Sequence, residues 1–404
     1  MTSLPSAAPG QLRNLRAVSQ LWRNWLGGRV RFDRNEFSGA FGDIGTDFPL
    51  LVGMILAAKL DVASVLILFG AMQILTGLTY GIPMPAQPLK AMAVLVITQK
   101  LSGGLLAGGG LAIGLAMLAL SATGLIDWLA RAIPKSVVRG IQFGLGLQLA
   151  SLALKDYVPA EGVSGYALAA VAFVITVALL GNRRLPPAPL LIVLGFVFGA
   201  AFHLNGARLD RAFGVHLPMF HAPSMREVMS GALLLALPQI PLSLGNSILA
   251  TRQVAADLFP ARPISIRKIG YTYSLMNLIN PFLGGVPTCH GSGGIAGHYA
   301  FGGRTGGSVV LYGSLYLALG LFFAGGFDLA IQLFPKPILG VILLFEALTL
   351  MKLVGDMFQS AADTTVLLLV GLIAFTLPYG YAIGLVVGTA LAYFLPKKRA
   401  SLAE

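Results

Sequence analysis

The sequence predicts an all-α polytopic membrane protein of about 14 transmembrane segments, arranged as a seven-plus-seven inverted repeat with two discontinuous half-helices. Three observations carry this. Only 11% of the 404 residues are charged while 56% are hydrophobic, against about 25% charged in a soluble domain, and the mean hydropathy is +0.80. Apolar stretches near the roughly 20 residues needed to cross a bilayer recur from end to end. Two of these stretches are short, start at Pro- or Gly-rich breaks, and hold the third position of each set of seven.

The same composition excludes soluble, disordered, collagen-like and nucleic-acid-binding classes. The net charge of +12 comes from Lys and Arg lying between apolar segments, which reads as topology rather than as a polyanion site. A single cysteine, Cys289, leaves no intramolecular disulfide.

Residues 1–35 are expected to be a cytoplasmic N-terminal segment. Its six arginines and lack of a continuous apolar core argue against a cleavable signal. Leu12, Leu15, Val18, Trp22 and Trp25, with Arg13, Arg16 and Arg23 between them, predict a short amphipathic helix on the membrane surface.

The first repeat, residues 36–203, divides into segments at 36–58, 62–80, 86–100, 105–125, 133–153, 164–181 and 187–203. In 36–58, Gly39, Asp43, Thr46 and Asp47 fall at helical spacings, which places two carboxylates on one face of an apolar helix. Buried charge is costly, so Asp43 and Asp47 must be paired, protonated or wet; Asp43 could pair Lys90 or take up a coupling proton. Segment 86–100 follows the break Ile82-Pro83-Met84-Pro85-Ala86-Gln87-Pro88. Pro88 suits a first helical turn, and Gln87 and Lys90 then lie within one turn of the break. Lys90 is the basic residue left inside an apolar segment, the place where charge most often signals function.

Residues 204–228 are an external connection. The second repeat, 229–395, comprises 229–250, 269–283, 290–302, 307–326, 331–351, 362–377 and 380–395, and 396–404 is a cytoplasmic tail. In 229–250, Gln239, Ser243 and Asn246 recur at i, i+4 and i+7 beside Pro238 and Pro241. Segment 290–302 begins at the second break, Val286-Pro287-Thr288-Cys289-His290-Gly291-Ser292-Gly293-Gly294. Gly291, Gly293 and Gly294 allow close approach of a ligand to the backbone, while Thr288, His290 and Ser292 can donate hydrogen bonds. Glu346, in 331–351, is a further proton-carrier candidate.

Lys and Arg distribution tests this count. With the N-terminus inside, the external loops hold only Lys59, Lys100, Lys155, Arg208, Arg211, Arg226 and Lys336 of the 28, so both termini are expected in the cytoplasm of a cell-membrane protein. Non-helical backbone at membrane depth must face protein or a cavity, so both breaks should border one internal site. Two half-helix N-termini meeting there would favour an anion. Adjacent Cys289 and His290 lack an orienting acid, and His203, His216 and His221 lack ligand spacing, so neither an enzyme nor a metal site is expected; no cofactor is implied.

These residues carry a resemblance. Phe41-Gly42-Asp43-Ile44-Gly45-Thr46, Pro83 to Lys90, Pro238 to Ser247, Asn280-Pro281-Phe282 and Cys289 to Tyr299 together resemble the molybdate transporter family of plants and bacteria, a branch of the sulfate permease superfamily. The resemblance implies a core domain moving against a gate domain, with substrate between the third and tenth segments. It implies an oxyanion substrate, molybdate first and tungstate or sulfate behind it. By motif, the substrate-binding set is Gln87, Lys90, Gln239, Asn246, His290, Ser292 and Gly293, to which the second break adds Thr288 and Gly294. The end of the chain at Glu404 raises the expectation that the C-terminal regulatory domain of sulfate permeases is missing, as in the molybdate branch.

The function expected is secondary active import by alternating access, coupled to a cation, with a proton through Asp43, Asp47 or Glu346 as the obvious route. Partners are the oxyanion, the proton and the lipid bilayer; a homodimer is an open option, and nucleic acid is not a partner. The alternative is a sulfate or general inorganic anion permease of the same fold, with a nucleobase–proton symporter or an anion channel ranked behind. No G-x-x-x-x-G-K loop points to a built-in ATPase.

Overall fold

A chain with so little charge satisfies its backbone within the bilayer by forming helices. The computed structural model describes residues 27–180, 187–203 and 212–395. The expected amphipathic helix at the N-terminus, Arg183, Arg184, Arg208, Arg211 and the C-terminal tail lie outside the described residues.

The first half contains α1 (Arg34–Gly39), α2 (Ile44–Ala58), α3 (Val62–Tyr80), β1 (Ala86–Pro88), α4 (Lys90–Gln99), α5 (Gly103–Thr123), α6 (Leu125–Ala132), α7 (Lys135–Tyr157), α8 (Gly162–Ala178) and α9 (Pro187–His203). The second contains α10 (Met225–Leu258), α11 (Ile266–Ile279), β2 (Thr288–His290), α12 (Ser292–Ala300), α13 (Gly307–Phe322), α14 (Ala324–Leu333), α15 (Lys336–Met357), α16 (Ala361–Thr376) and α17 (Gly380–Phe394). Local chemistry sets many of these ends. Asp61 accepts from the Ser64 N–H at 2.7 Å to start α3, and Gly81 ends it at φ +67°. Ser224 and Glu227 form a reciprocal capping box on α10.

Five helices among the described residues are long and apolar enough to cross a membrane, or six if the bent pair α13–α14 is one span. Large side chains exposed on α8, α9 and α17, such as Val163, Val174, Val197 and Val386, form the surface such a protein offers to lipid.

Several segments differ from expectation. The first is not one helix: α1 stops at Gly39, and α2 restarts at Ile44 with Asp43 as its N-cap. A Cβ on Gly42 would collide with the Gly297 backbone, so this turn lies where two distant segments of the backbone touch. The third and tenth segments begin as strands rather than helices. β1 and β2 pair antiparallel in the register Ala86–His290, Gln87–Cys289 and Pro88–Thr288, so the two breaks satisfy each other's backbone. Pro88 thus lies in β1, and α4 starts at Lys90 with Leu89 as N-cap. The eighth segment runs on to Leu258, with π-helical turns at Ala232–Ala236 and Ser243–Ala250 flanking Pro238 and Pro241, whose missing N–H groups break the regular ladder. α6 and α14 were not anticipated; α13 turns through 97° into α14.

Packing holds the strand pair in place. α3 lies along α13, α5 along α10 and α11, and α7 against α15 and α16. Glycines set the first of these contacts: a Cβ on Gly70 would sit 2.5 Å from the Gly313 carbonyl. Glu36 is buried yet fully used, accepting from the N–H groups of Arg304 (3.0 Å), Thr305 (2.8 Å) and Ser308 (2.9 Å) at the start of α13.

Candidate functional site

The antiparallel pairing makes α4 and α12 leave opposite ends of a short ribbon, with both N-termini beside it. A cavity of about 140 Å³ opens there, lined by Gln87, Lys90, Gln142, Gln239, Asn246, Ser247, Cys289, Ser292, Gly293 and Thr349, with Leu242, Leu350 and Leu353 as its apolar wall. A larger apolar groove of about 540 Å³ runs past Leu191, Ile342, Phe345 and Met351 and meets the cavity at Thr349; Glu346 lies on the groove.

The two helix starts differ. At α4, the Ala91 and Met92 N–H groups donate to Gln239 Oε1 at 2.9 and 3.3 Å, and the Leu89 N–H donates to the Pro287 carbonyl at 3.0 Å. Gln239 therefore acts as a cap supplied from α10, and its amide goes on to Ser243 Oγ at 3.1 Å, which shares a hydrogen bond with the Tyr273 hydroxyl at 2.8 Å. At α12 the N-cap is Gly291, with no side-chain cap, and the N–H groups of Ser292, Gly293 and Gly294 find no partner among the described residues. A Cβ on Gly293 would meet nothing within 4 Å, so this position faces open space.

The charges are arranged in a pattern the sequence did not give. Lys90 Nζ pairs with Glu346 Oε1 at 2.9 Å, the lysine side chain 20% and the glutamate 7% exposed. Asp43, offered above as a partner for Lys90, instead accepts from Gln87 Nε2 at 2.5 Å. Asp47 is wholly buried one turn further along α2, where its Oδ2 accepts from the Tyr312 hydroxyl at 3.3 Å. Asp43 and Asp47, one turn apart, thus take different hydrogen-bond partners while remaining neighbours.

Six of the sequence-chosen residues border the cavity: Gln87, Lys90, Gln239, Asn246, Ser292 and Gly293. Ser292 Oγ donates to Asn246 Oδ1 at 3.1 Å, which joins α12 to α10 across it. Three are not among its lining residues. Thr288 is held in β2 by Asn277, whose Oδ1 accepts from the Thr288 N–H at 3.0 Å. His290 places Nε2 2.7 Å from Thr272 Oγ1 and sets its ring edge-on to Tyr80. Gly294 packs toward Pro85 and the Asp43 carboxylate, where a Cβ would not fit. Sequence reasoning missed Gln142, Ser247, Cys289 and Thr349. Gln142, which accepts from Arg139 Nη1 at 2.9 Å, was the most findable, as an amide inside an apolar helix.

The family described as "Molybdate transporter of MFS superfamily" matches residues 35–149 and 231–350, both sides of this cavity. Molybdate transporter 2 of Arabidopsis thaliana is 33% identical over 401 residues, covering 87% of this chain and 86% of the relative. The chain belongs to the molybdate transporter family. Molybdate transporter 1 of Chlamydomonas reinhardtii is 27% identical over 440 residues, covering 79% of this chain and 83% of its own. Members of the molybdate transporter family are named as transporters, not enzymes, and the apolar helices make this member a multi-pass membrane protein. Its fold is similar to that of the transmembrane domain of the cyanobacterial bicarbonate transporter BicA, with a TM-score of 0.62 at 17% identity over 90% of this chain and 98% of that one. It is also similar to SLC26A9, with a TM-score of 0.67 at 13% identity over 98% of this chain and 72% of that one.

Proposed function

We propose that this protein is a secondary active transporter that imports a tetrahedral oxyanion, molybdate first, by alternating access with proton coupling. The observation that carries this reading is the pairing, in one cavity, of Lys90 with the uncapped N-terminus of α12. A cation and three free N–H groups form an anion site in a cavity of about 140 Å³. The names of the curated relatives favour molybdate within that class.

In this reading the anion is held by Lys90, Ser292, the Gly293 and Gly294 N–H groups and the Gln87 and Asn246 side chains. Gln239 holds α4 rigid; His290 and Thr288 support the ribbon. Glu346, already seated on Lys90, is an internal competitor: an arriving oxyanion displaces it toward the groove. A dianion entering against a negative interior must overcome about 2.3 kcal/mol per charge per 100 mV, so co-transport of protons is required for accumulation.

Fourteen segments in inverted repeat, 36–203 against 229–395 with both termini cytoplasmic, remain our reading of the architecture. Ile133-Pro134-Lys135 before α7 and Phe334-Pro335-Lys336 before α15 recur about 200 residues apart, as do Pro85 and Pro287. The contact of α3 with α13 is matched by that of α11 with α5, the exchange of partners that a two-fold relation between halves requires.

The test is molybdate uptake by purified protein in liposomes, with tungstate, sulfate and uracil as competitors. The expected result is saturable uptake, competed by tungstate and not by uracil, and lowered more than about tenfold in Lys90→Ala, equivalent to at least 1.4 kcal/mol of binding. Sulfate competing as well as molybdate would replace the assignment with a general anion permease, and uptake without saturation would replace it with a channel.

A further inference from the structure

Outside the cavity, a second group of buried polar atoms gathers around one ring. Tyr312 of α13 donates its hydroxyl to Asp47 Oδ2 at 3.3 Å, shares a hydrogen bond with the Tyr316 hydroxyl at 3.1 Å, and receives the His298 ring edge-on at a centroid distance of 5.8 Å. Asp47, His298, Tyr312 and Tyr316 are all buried. Asp47 Oδ1 and both ring nitrogens of His298 have no hydrogen-bond partner among the described residues. Buried polar atoms without partners are uncommon and costly, and three around one tyrosine mark a place built for something other than packing.

We propose that Asp47, Tyr312 and His298 form the seat of the coupling proton, separate from the oxyanion cavity; this rests on the proton-coupled reading above. Charge balance gives the reason. With Asp47 ionised and His298 neutral the group carries one buried negative charge. One added proton, on Asp47 Oδ1 or on a His298 nitrogen, brings the group to neutrality, the form suited to crossing the membrane within the protein. Tyr312 can hold either state, because its hydroxyl donates to the carboxylate and accepts from Tyr316.

Other ionisable groups nearby hold partners of their own or are distant, and Asp43, one turn from Asp47, faces it as a like charge that favours a proton on Asp47. Glu36 of α1 is bound by three backbone N–H groups, Asp43 by Gln87, and Lys90 and Glu346 by each other. On α10, which packs against α12, Arg252 and Asp257 are exposed. Tyr299 of α12 lies under the Arg304 guanidinium. The placement also links proton and substrate mechanically, since His298 and the N–H groups of Ser292 and Gly293 share the single short helix α12.

The experiment compares wild type, His298→Gln and Tyr312→Phe in molybdate-loaded and empty liposomes. Two assays are read: molybdate counterflow exchange at equal pH, and accumulation driven by an inward proton gradient. Exchange needs no net proton movement, so His298→Gln should keep exchange within about threefold of wild type while gradient-driven accumulation falls more than tenfold. Tyr312→Phe, which preserves the ring, should shift the pH midpoint of accumulation. A His298→Gln protein that accumulates like wild type overturns the inference, as does one that loses exchange and accumulation together. Wild type that exchanges molybdate but ignores the proton gradient would overturn the coupling reading itself, a distinct result.

Discussion

At the scale of single residues, the Lys90–Glu346 pair fixes what substitutions should do. Removing one member of a buried pair leaves the other charge uncompensated, at about 3–5 kcal/mol, whereas replacing both with apolar groups can be neutral. Lys90→Met should therefore lower the thermal unfolding midpoint, Lys90→Met combined with Glu346→Met should restore most of it, and neither should transport molybdate. Thermal unfolding in detergent, alongside uptake, checks this. The glycines of the second break divide just as sharply. Gly293 faces open space while Gly294 abuts Pro85 and Asp43. Gly293→Ala should leave stability within about 0.5 kcal/mol of wild type and reduce uptake by filling the cavity. Gly294→Ala should destabilise by about 1–3 kcal/mol through overpacking. Equal stability losses in the two variants would contradict this geometry. Nothing in the tract Gly291-Ser292-Gly293-Gly294 distinguishes these glycines before folding, because the difference lies in which neighbour each one meets.

At the scale of elements, the two half-helices were legible because their breaks are rich in Pro and Gly at matching places. Their strand pairing was not. Each strand has three residues, too few for any periodicity, and it exists only because its partner, about 200 residues away, supplies the other half of the ladder. Gln239 shows the same limit. From sequence it looked like a ligand to the anion; in the fold it is spent on capping α4. Gln239→Leu should cost about 1–3 kcal/mol by leaving the Ala91 and Met92 N–H groups unpaired, while Gln239→Glu, which keeps the acceptor, should retain the fold but weaken molybdate binding by like-charge repulsion. Unfolding midpoints and uptake KM for the two variants separate the cap from a direct ligand. If both variants unfold alike and bind alike, the cap is not what Gln239 provides.

At the scale of the whole molecule, the proposed topology makes a labelling prediction. Cys289, the chain's single cysteine, is buried, so introduced cysteines report cleanly. Lys155→Cys should react with a membrane-impermeant maleimide from outside intact cells, and Arg262→Cys should react only after permeabilisation. Labelling of both from outside would refute the inside assignment of the Arg262 loop. The likeness to BicA and SLC26A9 concerns the fold, and the molybdate transporter family comes from the chain's own sequence. Membrane class and the breaks were readable because each depends on local composition: apolar length, charge placement and the backbone preferences of Pro and Gly act within a few residues of each other. Which polar group meets which was decided only by tertiary structure. Lys90 reaches Glu346 rather than Asp43, Gln239 caps a helix end at the edge of the cavity, and His298 joins Asp47 around Tyr312. Contacts between segments far apart in the chain depend on how the helices pack, and packing is a property of all the segments together.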